Sequence, residues 1–223
     1  MLHMIGLKPM LSLFLHAYPV LSRRVAVSWD VGYVDIDRAG YGTLLGIGAN
    51  GKLPIPPVTM TVGDTLALTV HNSLNVTTSI HAHGLFQNGT NFMDGAASIT
   101  QCGIPPGEHF TYEYAMNQAG TFWLHGHDHH QNSDGLRTPL VVHDKGQPPV
   151  KYDEEMLFSF EDWYTETFAD RAVHILDPVQ PFPPEHGYGF GLINGVNGNL
   201  TQPIHFKPGR TYRLRLINMS STM

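Results

Sequence analysis

Hydrophobic and polar positions along most of this chain alternate in short runs instead of recurring every three or four residues. Successive side chains of an extended strand point to opposite faces, so a period of two sets one face on a core and the other in water. Phe110-Thr-Tyr-Glu-Tyr-Ala115 is the clearest case. From Val25 to His143 such runs are β-branched and aromatic and are punctuated by Gly, Pro and Asn, the pattern of an antiparallel sandwich or barrel. The pattern predicts strands at Val25–Val34, Thr65–Asn72, Ser79–His83, Phe110–Ala115, Thr121–His127 and Leu140–His143. Gly146-Gln-Pro-Pro149 reads as a linker, Met156–Trp163 as a further strand and Thr165–Ile175 as a short helix.

Past that linker the pattern starts over. Gly63-Asp-Thr-Leu-Ala-Leu-Thr-Val-His-Asn72 is echoed by Gly209-Arg-Thr-Tyr-Arg-Leu-Arg-Leu-Ile-Asn218. Ahead of each copy lies an Asn-Gly turn, Asn50-Gly51 or Asn194-Gly195, and then a proline-containing approach, Pro56-Pro57 or Pro203. This reads as a domain-scale duplication. The expectation is an all-β chain: residues 1–24 as a signal peptide or a disordered start, 25–145 as one complete domain, and 146–223 as part of a second. About half a sandwich is expected in the second unit, with unpaired edges and an uncovered apolar face.

Composition narrows the function. With 223 residues, 42% of them hydrophobic, the chain can form one good core and part of another. A net charge of −6 with 13 Lys and Arg leaves no basic patch, which excludes nucleic acid as a partner. The single cysteine, Cys102, cannot make an internal disulfide. Sequons at Asn75, Asn88, Asn199 and Asn218 fit surface glycans on a glycoprotein that is secreted or at the cell surface. The apolar run Met10–Val20 behind Lys8 has the length of a signal-peptide core and is too short to span a membrane. His16 and Pro19 interrupt it and Arg23-Arg24 follow, so a disordered or misassigned start fits it nearly as well.

The chemistry concentrates in two His-x-His pairs, His81 and His83 in Ser79-Ile-His-Ala-His-Gly84, and His125 and His127 in Phe122-Trp-Leu-His-Gly-His127. On a strand, histidines two apart project the same way with Cα atoms roughly 6.5 Å apart, near enough to hold one metal or to bracket two. Imidazole suits copper and zinc. One such pair could be chance among 14 histidines; two, on separate predicted strands beside glycine and aromatic residues, read as half of a copper cluster.

His81-Ala-His-Gly-Leu-Phe-Gln-Asn-Gly-Thr-Asn-Phe-Met-Asp-Gly95, Thr100-Gln-Cys-Gly-Ile-Pro-Pro-Gly107 and Gly120-Thr-Phe-Trp-Leu-His-Gly-His127 together resemble the first cupredoxin domain of multicopper oxidases. The fungal branch with iron-transport ferroxidases and pigment laccases is the most similar. Tyr152-Asp-Glu-Glu155, Trp163-Tyr164 and Leu192-Ile-Asn-Gly195 fit the opening of the second domain. The resemblance implies a cupredoxin-like Greek-key β-sandwich and an enzyme that takes electrons singly from a reducing substrate and reduces dioxygen to water at copper. It implies His81 at the type 2 copper and His83, His125 and His127 at the type 3 pair. Such ligands must be neutral to donate, so binding is expected to weaken as pH falls through the imidazole range near ~6.5. Asp94 matches a carboxylate that helps deliver protons to reduced oxygen; its other reading is a turn residue in Asp-Gly.

Departures from the family count as well. The family's third domain supplies four more cluster histidines and a His-Cys-His segment for type 1 copper, and this sequence has neither. The expectation is therefore a truncated chain, inactive alone, with a non-catalytic copper-binding module as the alternative. Cys102 falls where many relatives place a disulfide cysteine, and the position matching a partner is Ser221. Where ferroxidases carry an iron-binding acid this chain has Gln180-Pro-Phe-Pro183, with Glu185 close but off the motif. A phenol or pigment precursor is thus expected over ferrous iron. Asp128, His129 and His130 follow the second pair and read as a solvated loop, although a continued strand would put His129 on the ligand face.

Overall fold

The computed structural model describes residues 22–37, 40, 42–146, 148, 150–175, 189–197 and 203–221. The Met10–Val20 run, the Asn199 sequon, Gln180-Pro-Phe-Pro183 and Glu185 lie outside the described residues. Two four-stranded sheets pack face to face. The first runs in the order β2 (Leu44–Ala49), β1 (Arg24–Ile36), β4 (Thr65–Asn72), β6 (His109–Ala115); the second runs β3 (Val58–Thr61), β8 (Arg137–His143), β7 (Gly120–Gly126), β5 (Ile80–His83). Strands β1 and β4 are parallel, as are β3 and β8, and the other pairings are antiparallel. Period-two patterning sends Trp29, Val31, Leu66, Leu68, Val70, Tyr112 and Tyr114 inward from the first sheet, to meet Ile80, Ala82, Leu124, Leu140 and Val142 of the second.

A third sheet runs β11 (Val196–Asn197), β10 (Gly189–Ile193), β9 (Glu154–Tyr164), β12 (Tyr212–Asn218), and its last three strands repeat the β2-β1-β4 order of the first sheet, with β9 and β12 parallel like β1 and β4. The likeness reaches single atoms. Asn50 and Asn194 both take left-handed backbone, with φ of 54° and 51°, and each is followed by a left-handed glycine. Asn50 Oδ1 accepts from the Asp30 N–H at 2.8 Å, as Asn194 Oδ1 accepts from Ser159; each Nδ2 donates to a carbonyl two residues before that partner, of Ser28 or Leu157. Phe160, Leu214 and Leu216 of this sheet are exposed.

The third sheet lies against the outer face of β7 and β8. Arg215 donates to the Gly120 carbonyl and to Thr121 Oγ1, and Leu53, Trp163 and Leu192 bury together beneath Val34, Ile36 and Leu44. The helix α1 (Phe168–Ile175) begins three residues later than its pattern suggests, because Thr165–Thr167 form the bend that leaves β9. Strand β2 has no signal in the pattern. Its Leu-Leu-Gly-Ile-Gly-Ala run is bare where the chain must pass close to others: a Cβ on Gly46 would lie 3.0 Å from the Trp163 ring, tighter than ordinary packing.

Candidate metal centre

Strands β5 and β7 build the site. Ile80, Ala82 and Leu124 are fully buried on the inner face, so His81 and His83 must project outward, and His125 joins them because it lies directly opposite His81 in the ladder. Trp123 is opposite His83 and stacks on His125, ring centroids 4.0 Å apart. The His81 ring lies 5.5 Å from His83, 5.4 Å from His125 and 5.4 Å from His127. One nitrogen from each of His81, His83 and His125 falls in a group spanning no more than 4.8 Å. His127 stands just past the end of β7, its N–H donating to the Ser79 carbonyl at 3.2 Å and its ring 5.8 Å from that of His125. His83 and His127 are exposed, whereas His125 is buried.

Hydrogen bonds fix which nitrogens are available. His81 Nδ1 donates to the Asp94 main-chain carbonyl at 2.7 Å, and His125 Nδ1 to the Gly126 carbonyl at 2.9 Å, so both present Nε2 outward. His83 Nδ1 lies 3.3 Å from His125 Nε2. Two nitrogens bound to one ion at roughly 2.0 to 2.1 Å with tetrahedral spread stand about 3.4 Å apart, so this pair already has the separation of two ligands. Charge points the same way. Burial, with the neighbouring imidazoles adding to it, drives His125 down to about 3, and burial followed by His81 and His127 lowers His83. Both shifts favour the neutral ring, strongly at His125, so competition with protons at these ligands sets in at lower pH than the sequence suggests.

Asp94 ends the 3-10 turn Asn91–Met93. Its main chain holds His81, and its carboxylate Oδ1 lies 3.4 Å from the same Nδ1. Pattern reasoning passes over the residues that hold this arrangement in place. Gly95 has φ of 85°, and a Cβ there would overlap the Ile80 carbonyl, so only glycine lets the Asp94 turn close on β5. Tyr112 and Tyr114 reach across the core from β6: Tyr112 Oη accepts from the Ile80 N–H at 3.0 Å and Tyr114 Oη donates to the Ile80 carbonyl at 2.6 Å, satisfying the free edge of β5. Their only trace in the sequence is that two phenols share one inward face.

Residues after His127 leave the site. His129 and His130 take left-handed φ of 50° and 54°; His129 is exposed and pairs with Asp128 at 2.8 Å, and His130 stacks on Phe168. Cys102 is a free, exposed thiol. Ser221 instead sits against Asp162, its N–H 3.0 Å from the carboxylate.

A sandwich of this topology with clustered imidazoles on its outer face fits a copper-binding protein of the cupredoxin fold. Residues 30–147 and 154–223 match two family profiles, each described as multicopper oxidase, and the chain belongs to that family. It is 43% identical over 177 residues to the iron transport multicopper oxidase fetC of Epichloe festucae, covering 78% of this chain and 28% of that one. It is 37% identical over 233 residues to Laccase-1 of Fomitopsis schrenkii, covering 94% of this chain and 41% of that one. Among solved structures it is similar to Fet3p, a multicopper oxidase that functions in iron import, with a TM-score of 0.79 and 32% identity over 89% of this chain and 37% of that one. The chain thus spans well under half the length of these relatives.

Proposed function

We propose that this chain supplies one face of a trinuclear copper cluster in a multicopper oxidase, with His81 at the type 2 ion and His83, His125 and His127 at the type 3 pair. The observation that carries it is the convergence of three imidazole nitrogens within 4.8 Å on one outward sheet face, two of the rings tied at Nδ1 by main-chain carbonyls. Copper supplies the one-electron steps that couple oxidation of a reducing substrate to reduction of dioxygen to water. The protein's share is to hold neutral imidazoles in register, exclude protons from His125 by burial, and keep the Asp94 carboxylate beside His81, where it can pass protons to the site. We assign the reducing substrate as a phenol or pigment precursor ahead of ferrous iron, because Gln180 is an amide where an iron-binding acid is expected. Residues 25–145 are proposed as one cupredoxin unit and 146–223 as part of a second, 1–24 as a signal peptide or a disordered start, and the protein as a secreted or cell-surface glycoprotein.

The 223-residue polypeptide has one cysteine and no His-Cys-His segment, so by itself it is proposed to bind copper without turning over. Purified chain titrated with copper should lose bound metal on His81→Ala or His125→Ala, and should show neither blue colour nor oxygen uptake. Unchanged copper content in both variants overturns the cluster assignment; blue colour or turnover overturns the inactivity of the isolated polypeptide.

A further inference from the structure

We propose that His71 and His109, with Asp30 behind them, form a separate binding site for a divalent copper or zinc ion on the outer face of the first sheet, remote from the β5–β7 cluster. The three residues make one row across three neighbouring strands: Asp30 of β1 registers with His71 of β4, and His71 with His109 of β6. All three project to solvent, since Val31, Val70 and Tyr112 on the opposite face are fully buried.

The ladder register sets the two side chains next to each other on one face. Asn72 exchanges main-chain hydrogen bonds with the far strand, donating to the Glu108 carbonyl at 2.9 Å and accepting from the Gly107 N–H at 2.8 Å. The polar groups of the preceding residue, His71, therefore point the other way, toward β1, and His71 with His109 is a non-hydrogen-bonded antiparallel pair. In such pairs Cα atoms stand roughly 4.5 Å apart and the side chains are closest. The next pair of this kind on the same face, Thr69 with Thr111, shows what the spacing permits: its hydroxyl oxygens are 2.9 Å apart.

His71 is also prepared as a ligand. Its Nδ1 faces Asp30 Oδ1 at 3.5 Å, and Ser73 Oγ donates to that same carboxylate oxygen, lying 3.4 Å from Nδ1. A carboxylate accepting from one imidazole nitrogen fixes the tautomer, makes the ring a better donor and leaves Nε2 for a metal, the arrangement that supports histidine ligands in general. His71 and Asp30 are 50% and 62% exposed, so an ion can enter directly and water can complete its coordination. Rotation of the exposed His109 ring about χ1 closes the site. Two imidazoles with water suit copper(II) and zinc, copper the more tightly.

The test is zinc and copper binding by the purified chain, measured as metal content at equilibrium in a metal-buffered solution. One equivalent should survive replacement of His83 and His127 by alanine and disappear on His71→Gln or His109→Gln, while Asp30→Asn weakens it about tenfold or more. Copper(II) at this site should show two coupled nitrogens by electron paramagnetic resonance. Far-ultraviolet circular dichroism checks that the exposed-site variants remain folded, and the affinity loss of Asp30→Asn, which leaves both imidazoles in place, serves as the readout should a histidine variant not. Retention of the equivalent in both histidine variants, or a signal without two nitrogens, overturns the assignment.

Discussion

Arg137 and Asp162 form an ion pair between strands β8 and β9, Nη1 to Oδ1 at 3.1 Å, with the two side chains 0% and 1% exposed. The same guanidinium reaches Glu161 at 3.3 Å, the Met219 carbonyl at 2.9 Å, Ser221 Oγ at 3.3 Å and the Asp162 carbonyl. Arg137 is also the ladder partner of His125. One buried cation thereby links the strand beside the imidazole cluster to both long strands of the third sheet.

Arg137→Ala removes the guanidinium that two buried carboxylates face, and breaking such a pair from one side costs about 3–5 kcal/mol. Urea unfolding should show a loss of that size, with protease cleavage appearing first in residues 150–221. Pairing Arg137→Met with Asp162→Asn should recover part of the loss, because uncompensated charge is its main source. A loss below about 1 kcal/mol in the single variant would show that the network contributes little.

Gly95→Ala tests the support of the site. The backbone there is left-handed and a Cβ would overlap the Ile80 carbonyl and crowd the His81 Cα, so β5 and the Asp94 turn must separate. Strain of this kind costs about 1–3 kcal/mol. Separation frees His81 Nδ1 from the Asp94 carbonyl, and the expected outcome is lower thermal stability together with weaker copper binding. Copper affinity unchanged in a destabilised variant would mean that the turn does not position His81.

Most of the sandwich is legible from alternation alone, because strands with one face in water carry their period in the sequence. Thr65–Asn72 is read to the residue. Strand β2 escapes because Gly46 and Gly48 are set by close approach to other chain segments, which leaves no hydrophobic period to detect. The site divides the same way. His81, His83 and His125 announce themselves by spacing, since their common face follows from strand geometry. The hydrogen bonds that choose their tautomers come from main-chain carbonyls of Asp94 and Gly126, groups that every residue carries and that no sequence pattern marks. Arg137 is hidden for a related reason: its carboxylate partners lie 24 and 25 residues away, a pairing fixed only by how the third sheet docks.

Tyr114→Phe keeps the ring and removes one hydroxyl, leaving the buried Ile80 carbonyl on an edge strand without its donor. The expected cost is about 1–3 kcal/mol, and Tyr112→Phe should behave alike through the Ile80 N–H. Burial pushes Tyr112 up to about 12 and Tyr114 well above the ordinary phenol value. A spectrophotometric titration of the native protein should therefore leave two tyrosines un-ionised after the exposed ones have titrated. Their ionisation alongside exposed tyrosines, with the fold intact, would place these hydroxyls in water.

Asp134 supplies the pH dependence. Its carboxylate accepts from the Phe168 N–H at 2.8 Å, capping α1 from the first unit, and its main-chain carbonyl accepts from Ile47. Burial raises its pKa from 3.8 to about 6, against the lowering by the Phe168 N–H and the Arg171 guanidinium. The folded protein thus holds this proton more tightly than the unfolded chain. Its contribution is complete below about pH 4 and is lost as pH rises through about 6, a change of at most about 3 kcal/mol that partial solvent access reduces to roughly 1–2 kcal/mol. Asp134→Asn keeps an acceptor for Phe168 and removes the titration. The variant should match the parent near pH 4 and exceed it in stability at pH 7, measured as the difference between paired urea unfolding curves, so that the other titrating groups cancel. A difference that stays flat across this range would place the Asp134 carboxylate in water, without the burial that displaces its pKa.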